Sequence, residues 1–391
     1  MNGNNLDQVR RRNLSTVLGL VHRDGSPSRA RLTRETGLNR STIAALVAEL
    51  VQLGLVIETE PDQTNQVGRP SPVIRPSGTT VAITVNPELD AVDIGLVALG
   101  GTVIRRVHYE TVHIPSALEV VNIVAAVIAG MRGELDGSYR TVGIGLAVPG
   151  LVRESDGLVS IAPHLGWRDE PLAANLQEAT GFRVFSANDA NAGAIAESTF
   201  GAGRGVRELI YLNGGASGIG GGIITGGQLL RGVSGFAGEI GHTLVNSVGV
   251  ECQCGSRGCL ETEVSRQPLL EALGLSRGEA ERLDDVLLAA FASGATPSSE
   301  LTGLVERQLG FLAIALGNTA NAFNPRVIVL GGFLGSLYGA APEVLEAAFL
   351  KRTMAATHEG IVIKRAALGT NILMIGAAEL AFAELLANPA A

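Results

Sequence analysis

The sequence predicts an α/β protein of two or three domains, in which a small helical domain precedes a larger domain of alternating strands and helices. The chain has 391 residues, more than one core usually contains. Helical periodicity fills the first 54 positions, and from Thr80 onward β-rich stretches alternate with Ala-rich helices. The 51 glycines suit many tight turns between strands and helices.

The first domain is predicted to contain three helices. Apolar residues recur at helical spacing over residues 6–22, and a second short helix covers residues 28–36. Gly37 ends that helix, and Asn39 can cap a third helix over residues 40–54. Two helices joined by a short turn that contains glycine are typical of a helix-turn-helix.

Two strands over residues 55–60 and 72–77, with a polar loop between them, would add a wing to these helices. In a winged helix-turn-helix the first turn of the last helix reads base edges, and basic groups beside it hold phosphates. A helical module for protein contacts is the alternative. The residues predicted to contact DNA are Arg29, Arg40, Ser41, Thr42 and Arg69.

The net charge of −8 is unevenly distributed along the chain. Residues 1–75 contain ten Arg and seven Asp or Glu, which gives +3, so the remainder carries −11. A basic head on an acidic body indicates that nucleic acid meets the head. No apolar run follows the first arginines, and no long apolar stretch has the character of a membrane span, so we predict a cytoplasmic protein without membrane contact.

The larger domain is predicted to form eight strands separated by Ala-rich helices. The strands cover residues 81–85, 91–99, 102–110, 141–148, 183–187, 208–213, 219–225 and 326–332. The helices include residues 116–135, 191–200 and 301–324.

Three cysteines lie in one short segment as Cys-x-Cys-x4-Cys, at positions 252, 254 and 259, and His242 precedes them by ten residues. A reducing cytoplasm argues against a disulfide. Three thiolates and an imidazole complete a closed tetrahedral zinc site, which is structural because no ligand position stays open. Glycines at 255 and 258 let the chain turn back onto the ion. The alternative is three incidental thiols.

The segments GEIGH at 238–242 and CQCGSRGCLE at 252–261 match, in order and spacing, the signature of a known family. On these segments the chain is identified as a member of the ROK family of repressors, open reading frames and sugar kinases, in the repressor branch with a winged helix-turn-helix. The resemblance covers nearly the whole chain. It implies a two-lobed, actin-like and ribonuclease H-like sugar-kinase fold.

The resemblance also implies a set of residues that hold sugar hydroxyls, in which carboxylates accept charge-assisted hydrogen bonds. One ring nitrogen of the histidine would bind zinc and the other would face the sugar. For Asn188 and Asp189 the alternative role is to cap a helix, and the two roles are compatible. His164 and Trp167 resemble a family segment near the sugar, which often has Asn in place of His164. The implied sugar residues are Asn188, Asp189, Glu239, His242 and Glu261.

In the kinases of the family, a base equivalent to Asp189 takes the proton of the attacking hydroxyl, and glycine-rich loops hold ATP phosphates. Residues 213–222 resemble one of these phosphate loops, and residues 331–332 resemble the family's adenosine segment. The first phosphate loop differs, because Asn86, Pro87 and Glu88 replace the kinase pattern Asp-x-Gly. These changes remove a magnesium-positioning carboxylate and an N–H donor, and they add a negative charge. No catalysis is therefore predicted, and Asp189 would be catalytic only in a kinase.

The resemblance implies a domain division into a winged head over residues 1–77, a first lobe over 78–188 plus 374–391, and a second lobe with the zinc turn over 189–373. We predict a sugar-responsive repressor of carbohydrate-metabolism genes, whose partners are operator DNA and a sugar or sugar phosphate. We expect a homodimer or homotetramer. An active or bifunctional sugar kinase with a DNA-binding head is the alternative, and a ligand domain that only dimerises or binds protein is a second.

Overall fold

The computed structural model describes residues 3–60 and 71–390. The head contains three helices and a two-stranded wing. Its elements are α1 (Gly3–Asp24), α2 (Arg29–Thr36), α3 (Arg40–Gln52), β1 (Val56–Thr59) and β2 (Val73–Pro76). Arg69 lies outside the described residues, as do the other residues of 61–70 in the predicted wing loop.

Local caps define the helix-turn-helix geometry of the head. The Ser28 side chain accepts a hydrogen bond from the first turn of α2, and Gly37 ends that helix in the left-handed region with φ 71°. The Asn39 side chain accepts from the backbone N–H of Thr42 at 2.8 Å and begins α3. The predicted bounds and caps of these helices are therefore confirmed to within a few residues.

The rest of the chain alternates between strands and helices. The strands are β3 (Thr80–Pro87), β4 (Ala91–Ala98), β5 (Thr102–Glu110), β6 (Arg140–Val148), β7 (Leu151–Val152), β8 (Val159–Ala162), β9 (Trp167–Glu170), β10 (Val184–Asn188), β11 (Leu209–Gly215), β12 (Gly218–Thr225), β13 (Gln228–Leu229), β14 (Val327–Gly332) and β15 (Val362–Arg365). The helices are α4 (Ala117–Ser138), α5 (Leu172–Thr180), α6 (Asp189–Thr199), α7 (Leu260–Glu263), α8 (Arg266–Ala272), α9 (Leu283–Ala290), α10 (Ser299–Phe323), α11 (Phe333–Ala340), α12 (Pro342–Leu350), α13 (Ala355–His358) and α14 (Ile372–Ala387).

Two five-stranded sheets form the frame of the larger part. The first has the order β10-β6-β3-β4-β5, with β3, β4 and β5 antiparallel and with β6 and β10 parallel to β3. The second has the order β13-β12-β11-β14-β15, with β11, β14 and β15 parallel. All eight predicted strands are present. The short sheet β7-β8-β9 and strands β13 and β15 were not anticipated.

The two faces of the first sheet pack against different partners because side chains alternate along a strand. Val81, Ile83 and Val85 point into a core shared with α4 and α5. Ala82 lies on the opposite face, in a core that contains residues of α14. In the second sheet, Tyr211 packs against α6, while a large aliphatic core that contains α10 covers the other face.

The head shares its hydrophobic core with the body. Leu14, Val17 and Leu18 of α1 lie in one buried cluster with Met374 and Phe382 of α14. Shared burial of this kind fixes two parts of a chain relative to each other, unlike two domains joined only by a linker. The domain boundaries stay a prediction, but the head and α14 form one packed unit.

One stretch among the described residues has the length and composition of a membrane span. It is Gly369–Ala387, with a mean hydropathy of 1.5, and half of it is buried inside the protein. It contains α14, which packs against α6, β6 and β3. The core helix of a folded domain meets the same criteria, so this stretch is weak evidence for a membrane segment.

Candidate functional site

A cavity of about 470 Å³ lies between the two sheets and the short sheet β7-β8-β9. The ends of β6 and β10 and the turn between β11 and β12 open into it. All five residues predicted to hold a sugar line this one cavity. The polar and charged residues of its wall are His164, Arg168, Asn188, Asp189, Asn213, Ser217, Glu239, His242, Gln253, Cys254 and Glu261.

Asn188 and Asp189 stand where β10 ends and α6 begins. The Asn188 side chain accepts hydrogen bonds from the N–H groups of Ala190 and Asn191 at 2.9 and 3.2 Å, and its amide donates to Gly150 O at 3.0 Å. Asp189 also accepts from Ala190 N–H, at 2.8 Å. The predicted capping role is therefore real, and it fixes both side chains at the cavity wall.

The floor of the cavity concentrates negative charge. Burial, opposed by a hydrogen bond from the backbone of Ala190 and assisted by Glu239, raises the pKa of Asp189 to about 7. Burial also raises the pKa of Glu239, and Glu261 adds to the effect. The Asp189 carboxyl group can therefore act as both proton donor and acceptor near neutral pH, which suits hydrogen bonding to hydroxyl groups.

His242 and the three cysteines form a cluster in which all four ligand atoms lie within 4.8 Å of one another. Cys252 Sγ is 3.6 Å from His242 Nδ1, and Cys254 Sγ is 3.7 Å from Cys259 Sγ. The donor set and its spacing can hold a metal ion. Each of the four residues predicted as ligands belongs to this cluster.

The chain turns tightly around this cluster at two glycines. Gly255 and Gly258 have φ 88° and 70°. A Cβ at position 258 would collide with the carbonyl oxygen of Asn246, so a larger residue would have to displace the backbone there. Cys259 is wholly buried and Cys252 nearly so, whereas Cys254 is exposed. Both expected glycine turns are thus present.

The His242 ring connects the cluster to the cavity. Its Nδ1 faces Cys252 and lies 3.4 Å from Glu261 Oε1, while its Nε2 lies 3.9 Å from Glu239 Oε2. One ring nitrogen thus faces the cysteines and the other faces a cavity acid. The Glu261 carboxylate lies against Gly218 at the start of β12, so close that a Cβ at that position would collide with it.

The loop that corresponds to the first phosphate loop is closed on itself. The Glu88 N–H donates to Ala91 O at 2.8 Å, and the Asn86 side chain donates to Ala147 O at 3.0 Å in the core. Burial, assisted by the nearby carboxyl groups of Asp189, Asp93 and Asp90 and opposed by Arg266, raises the pKa of Glu88 to about 8. These two hydrogen-bond donors of the loop are therefore committed to the fold.

The raised pKa of Glu88 has a measurable consequence for stability. Between about pH 5 and 8 the folded chain retains a proton that the unfolded chain releases, so the free energy of unfolding falls as the pH rises through this window. Asp189, with its pKa near 7, acts in the same direction. In Glu88→Gln we expect the free energy of unfolding to depend less steeply on pH, by up to about 1.4 kcal/mol per pH unit.

Urea denaturation of wild type and Glu88→Gln at pH 5, 6, 7 and 8 measures this slope. Glu110→Gln is the matched control, because Glu110 is exposed at the end of β5 and is not among the charges that shift the pKa of Glu88. Parallel pH profiles for wild type and Glu88→Gln would show that Glu88 is ionised throughout.

The predicted DNA contacts have mixed exposure. Arg40 and Ser41 are exposed at the start of α3, and Thr42 is partly exposed. Arg29 forms an ion pair with Glu58 of the wing at 2.6 Å, so it connects α2 to β1. Arg34 is also exposed at the end of α2, and the sequence interpretation did not include it.

Several cavity residues were not anticipated from the sequence. Arg168 follows Trp167 on β9, and Asn213 lies on β11. Trp167 itself is buried, and its indole N–H donates to Pro115 O at 3.0 Å, so it supports the fold. His164 lines the cavity.

The fold and the cavity define a two-lobed, actin-like α/β protein with a ligand cleft, preceded by a helical head. A family model described as the ROK family matches residues 71–384. The chain therefore belongs to the ROK family, as its GEIGH and cysteine segments predicted.

Known relatives include repressors and kinases. The xylose repressor of Bacillus spizizenii is 34% identical over 326 residues, which cover 82% of each chain. A solved ROK family transcriptional regulator, described as a homologue of the E. coli MLC protein, has a TM-score of 0.77 at 24% identity and covers 97% of both chains. That likeness extends the shared fold to the head.

A ROK glucokinase of Streptomyces griseus, solved with glucose and AMPPNP, has a TM-score of 0.64 at 26% identity. It covers 77% of this chain, and 98% of the glucokinase is covered. The body of this chain is thus similar both to a kinase and to a regulator.

Proposed function

We propose that this protein is a sugar-responsive transcriptional regulator, acting as a repressor of carbohydrate-metabolism genes. The observation that carries the proposal is the single cavity in which Asp189, Glu239 and Glu261 converge beside the cysteine cluster, in a chain with a helix-turn-helix-like head. The similarity to a xylose repressor over 82% of the chain supports it.

In this proposal the sugar hydroxyls bind to Asn188, Asp189, Glu239, His242 and Glu261. The cysteine cluster with His242 holds a structural zinc ion. Two sulfurs bound at about 2.3 Å to a tetrahedral zinc ion stand about 3.8 Å apart, and the Cys254–Cys259 spacing of 3.7 Å fits that geometry. Zinc would supply a fixed anchor for the His242 ring, with Nε2 directed to the sugar.

The charges of the cavity favour a neutral sugar over a sugar phosphate. Asp189, Glu239 and Glu261 line the wall, and the single Lys or Arg among the lining residues is the exposed Arg168. A phosphate dianion in this cavity would face several carboxyl groups at low dielectric, which costs several kcal/mol at separations of about 4 Å. Hydroxyl groups pair with the same carboxylates favourably.

A thermal-shift panel tests the ligand class. We expect D-xylose, D-glucose or N-acetyl-D-glucosamine to raise the melting temperature, and glucose 6-phosphate and N-acetylglucosamine 6-phosphate to have no effect at equal concentration. Stabilisation by the phosphates alone would contradict the neutral-sugar assignment. No response to any of the five would contradict sugar binding.

The proposal includes the absence of kinase activity. Its support is the first loop, where Pro87 has no N–H, the N–H of Glu88 is bonded to Ala91, and the Glu88 side chain lies near Asp189 at the position where the kinase pattern has glycine. Sugar-dependent ADP release, measured in a coupled assay, is expected to equal the buffer background. Turnover that disappears in Asp189→Asn would establish the kinase alternative instead.

The head is proposed to read operator DNA with Arg40, Ser41 and Thr42 in the major groove, with Arg29 and Arg69 near the backbone or minor groove. Two-fold pairing of such heads matches a palindromic operator, so a homodimer or homotetramer is the expected assembly. Sedimentation of the full chain measures the assembly. A monomer at micromolar concentration would contradict this part.

Arg40→Ala is expected to weaken binding to the preferred duplex by about 5- to 150-fold, since one base-edge contact contributes about 1–3 kcal/mol. Fluorescence anisotropy with a duplex selected by the wild type from a random pool measures the loss. A scrambled duplex and the body variant Arg132→Ala are the controls. Equal loss on both duplexes would assign Arg40 to phosphate contact and contradict base reading.

A further inference from the structure

A buried contact joins the head to the body away from the cavity and from α3. His22, near the end of α1, is 2% exposed, and its Nε2 lies 3.0 Å from both carboxylate oxygens of Glu379 on α14. The backbone N–H of Gly100, in the turn between β4 and β5, donates to Nδ1 at 2.9 Å. Because Nδ1 accepts, the proton of the neutral ring is on Nε2 and is donated to Glu379.

A second contact links the same end of α1 to the segment after α6. Asp24 accepts a hydrogen bond from Arg204 at 3.0 Å, and its side chain is 2% exposed. Burial would raise the pKa of Asp24, but hydrogen bonds from Arg204 and Arg23 outweigh burial and hold it below its usual value. The Phe200 ring meets the His22 ring edge-on at 5.1 Å. The far end of α6 therefore contacts the head.

The near end of α6 lies in the cavity, where it begins at Asp189. The helix is fixed to the segment that precedes α14, because buried Glu197 accepts hydrogen bonds from the backbone N–H groups of residues 367 and 368 at 2.9 and 3.0 Å. Gly376 of α14 lies so close to the carbonyl of Ala192 that a Cβ would collide with it. The two helices are thus packed without room to slide independently.

We propose that α6 and α14 move as one rigid pair, which transmits the change caused by sugar binding from the cavity to the head. The His22–Glu379 and Asp24–Arg204 contacts connect this pair to α1, and we call these two contacts the joint. The inference rests on the proposed function, since the signal is sugar occupancy. A sugar that binds more tightly when the two lobes close over the cavity displaces α1, and α3 with it, only if both contacts of the joint are intact. His22, Glu379 and Arg204 are positioning residues, because they touch neither sugar nor DNA.

The coupling ratio measures this role directly. It is the dissociation constant for the selected duplex with saturating sugar divided by the value without sugar, using whichever of D-xylose, D-glucose or N-acetyl-D-glucosamine stabilises the wild type. In Arg204→Ala we expect the ratio to move toward one by about two- to fivefold, as for loss of a partly exposed ion pair. Arg207→Ala is the matched control, because exposed Arg207 follows the same helix and its side chain donates to Gly226 O within the body.

Glu379→Gln tests the buried half of the joint and keeps an acceptor for His22. We expect the coupling ratio to come within about twofold of one, because a charge-assisted bond in a buried site is lost. Glu384→Gln makes the same change on the same helix, where exposed Glu384 pairs with Arg183 of the body. Its ratio is expected to stay within twofold of the wild type.

Sugar affinity without DNA, measured by calorimetry, separates a joint from general damage to the fold. We expect it to stay within twofold of the wild type in Arg204→Ala and Glu379→Gln. Coupling ratios in both variants that equal the wild-type ratio would overturn the inference, and so would a parallel loss of sugar affinity. A wild type that responds to no sugar overturns the proposed function itself, and the inference with it.

Discussion

Replacing Cys259 by serine is expected to abolish the proposed zinc binding and to lower the affinity for the proposed sugar by about 100-fold, the upper end of what loss of a supporting group costs. Cys259 is wholly buried, and its Sγ lies 3.7 Å from Cys254 Sγ. A serine hydroxyl is a poor ligand for an ion that thiolates hold. Without the ion the His242 ring loses its anchor, and its Nε2 no longer has a fixed position beside Glu239.

Metal content by mass spectrometry and sugar binding by calorimetry measure these two effects. Arg257→Ala is the matched control, because Arg257 lies in the same turn and its exposed side chain faces Glu251 rather than the cysteines. One metal ion per chain in Cys259→Ser, together with unchanged sugar affinity, would contradict both roles of the cluster. Retained binding of the head to DNA would show that the rest of the chain is folded.

Glu239→Gln is expected to weaken sugar binding by about 10- to 100-fold, because hydrogen bonds to a charged group contribute about 1.5–3 kcal/mol. Glu239 lines the cavity beside His242 and Asp189. The variant keeps the shape of the side chain, so the loss reports the carboxylate alone. Calorimetry with the sugar identified in the thermal-shift panel measures it.

Glu251→Gln is the matched control for Glu239→Gln. Glu251 precedes the first cysteine but is exposed and is absent from the cavity wall. We expect its sugar affinity to equal that of the wild type. Equal affinity in Glu239→Gln and the wild type would place the sugar elsewhere and contradict the assigned cavity.

Local patterns were sufficient to predict the head and the metal cluster. Gly37 and Asn39 act within one turn of their own helices, so their capping roles follow from short-range geometry. The four candidate ligands come from 18 consecutive residues, 242 to 259, and two glycine turns bring them together. Such features depend little on the rest of the fold.

The cavity required more than local pattern. Asn188 and Glu261 are distant in sequence, and only the family resemblance placed them together, which the cavity now supports. Arg168 was missed because a single exposed arginine on a short strand has no distinguishing pattern. The closed conformation of the Glu88 loop could not be predicted either, because the hydrogen bond from the Glu88 N–H to Ala91 O depends on the turn between β3 and β4.

The joint between head and body could not be predicted from the sequence. His22 and Glu379 are separated by 357 positions, and neither stands out locally, because α1 carries several other charged residues and α14 also contains Glu384. Sequence periodicity assigns a residue to a helix face but does not identify the element that covers that face. The shared core of α1 and α14 is a tertiary feature for the same reason.

The central claim is that sugar occupancy of the cavity changes operator binding. Fluorescence anisotropy of the selected duplex, titrated with the full chain with and without saturating neutral sugar, tests it most directly. We predict at least a fivefold difference between the two dissociation constants, within the usual range of allosteric coupling, and its disappearance in Glu239→Gln. Identical dissociation constants with and without every sugar that binds the cavity would contradict the account.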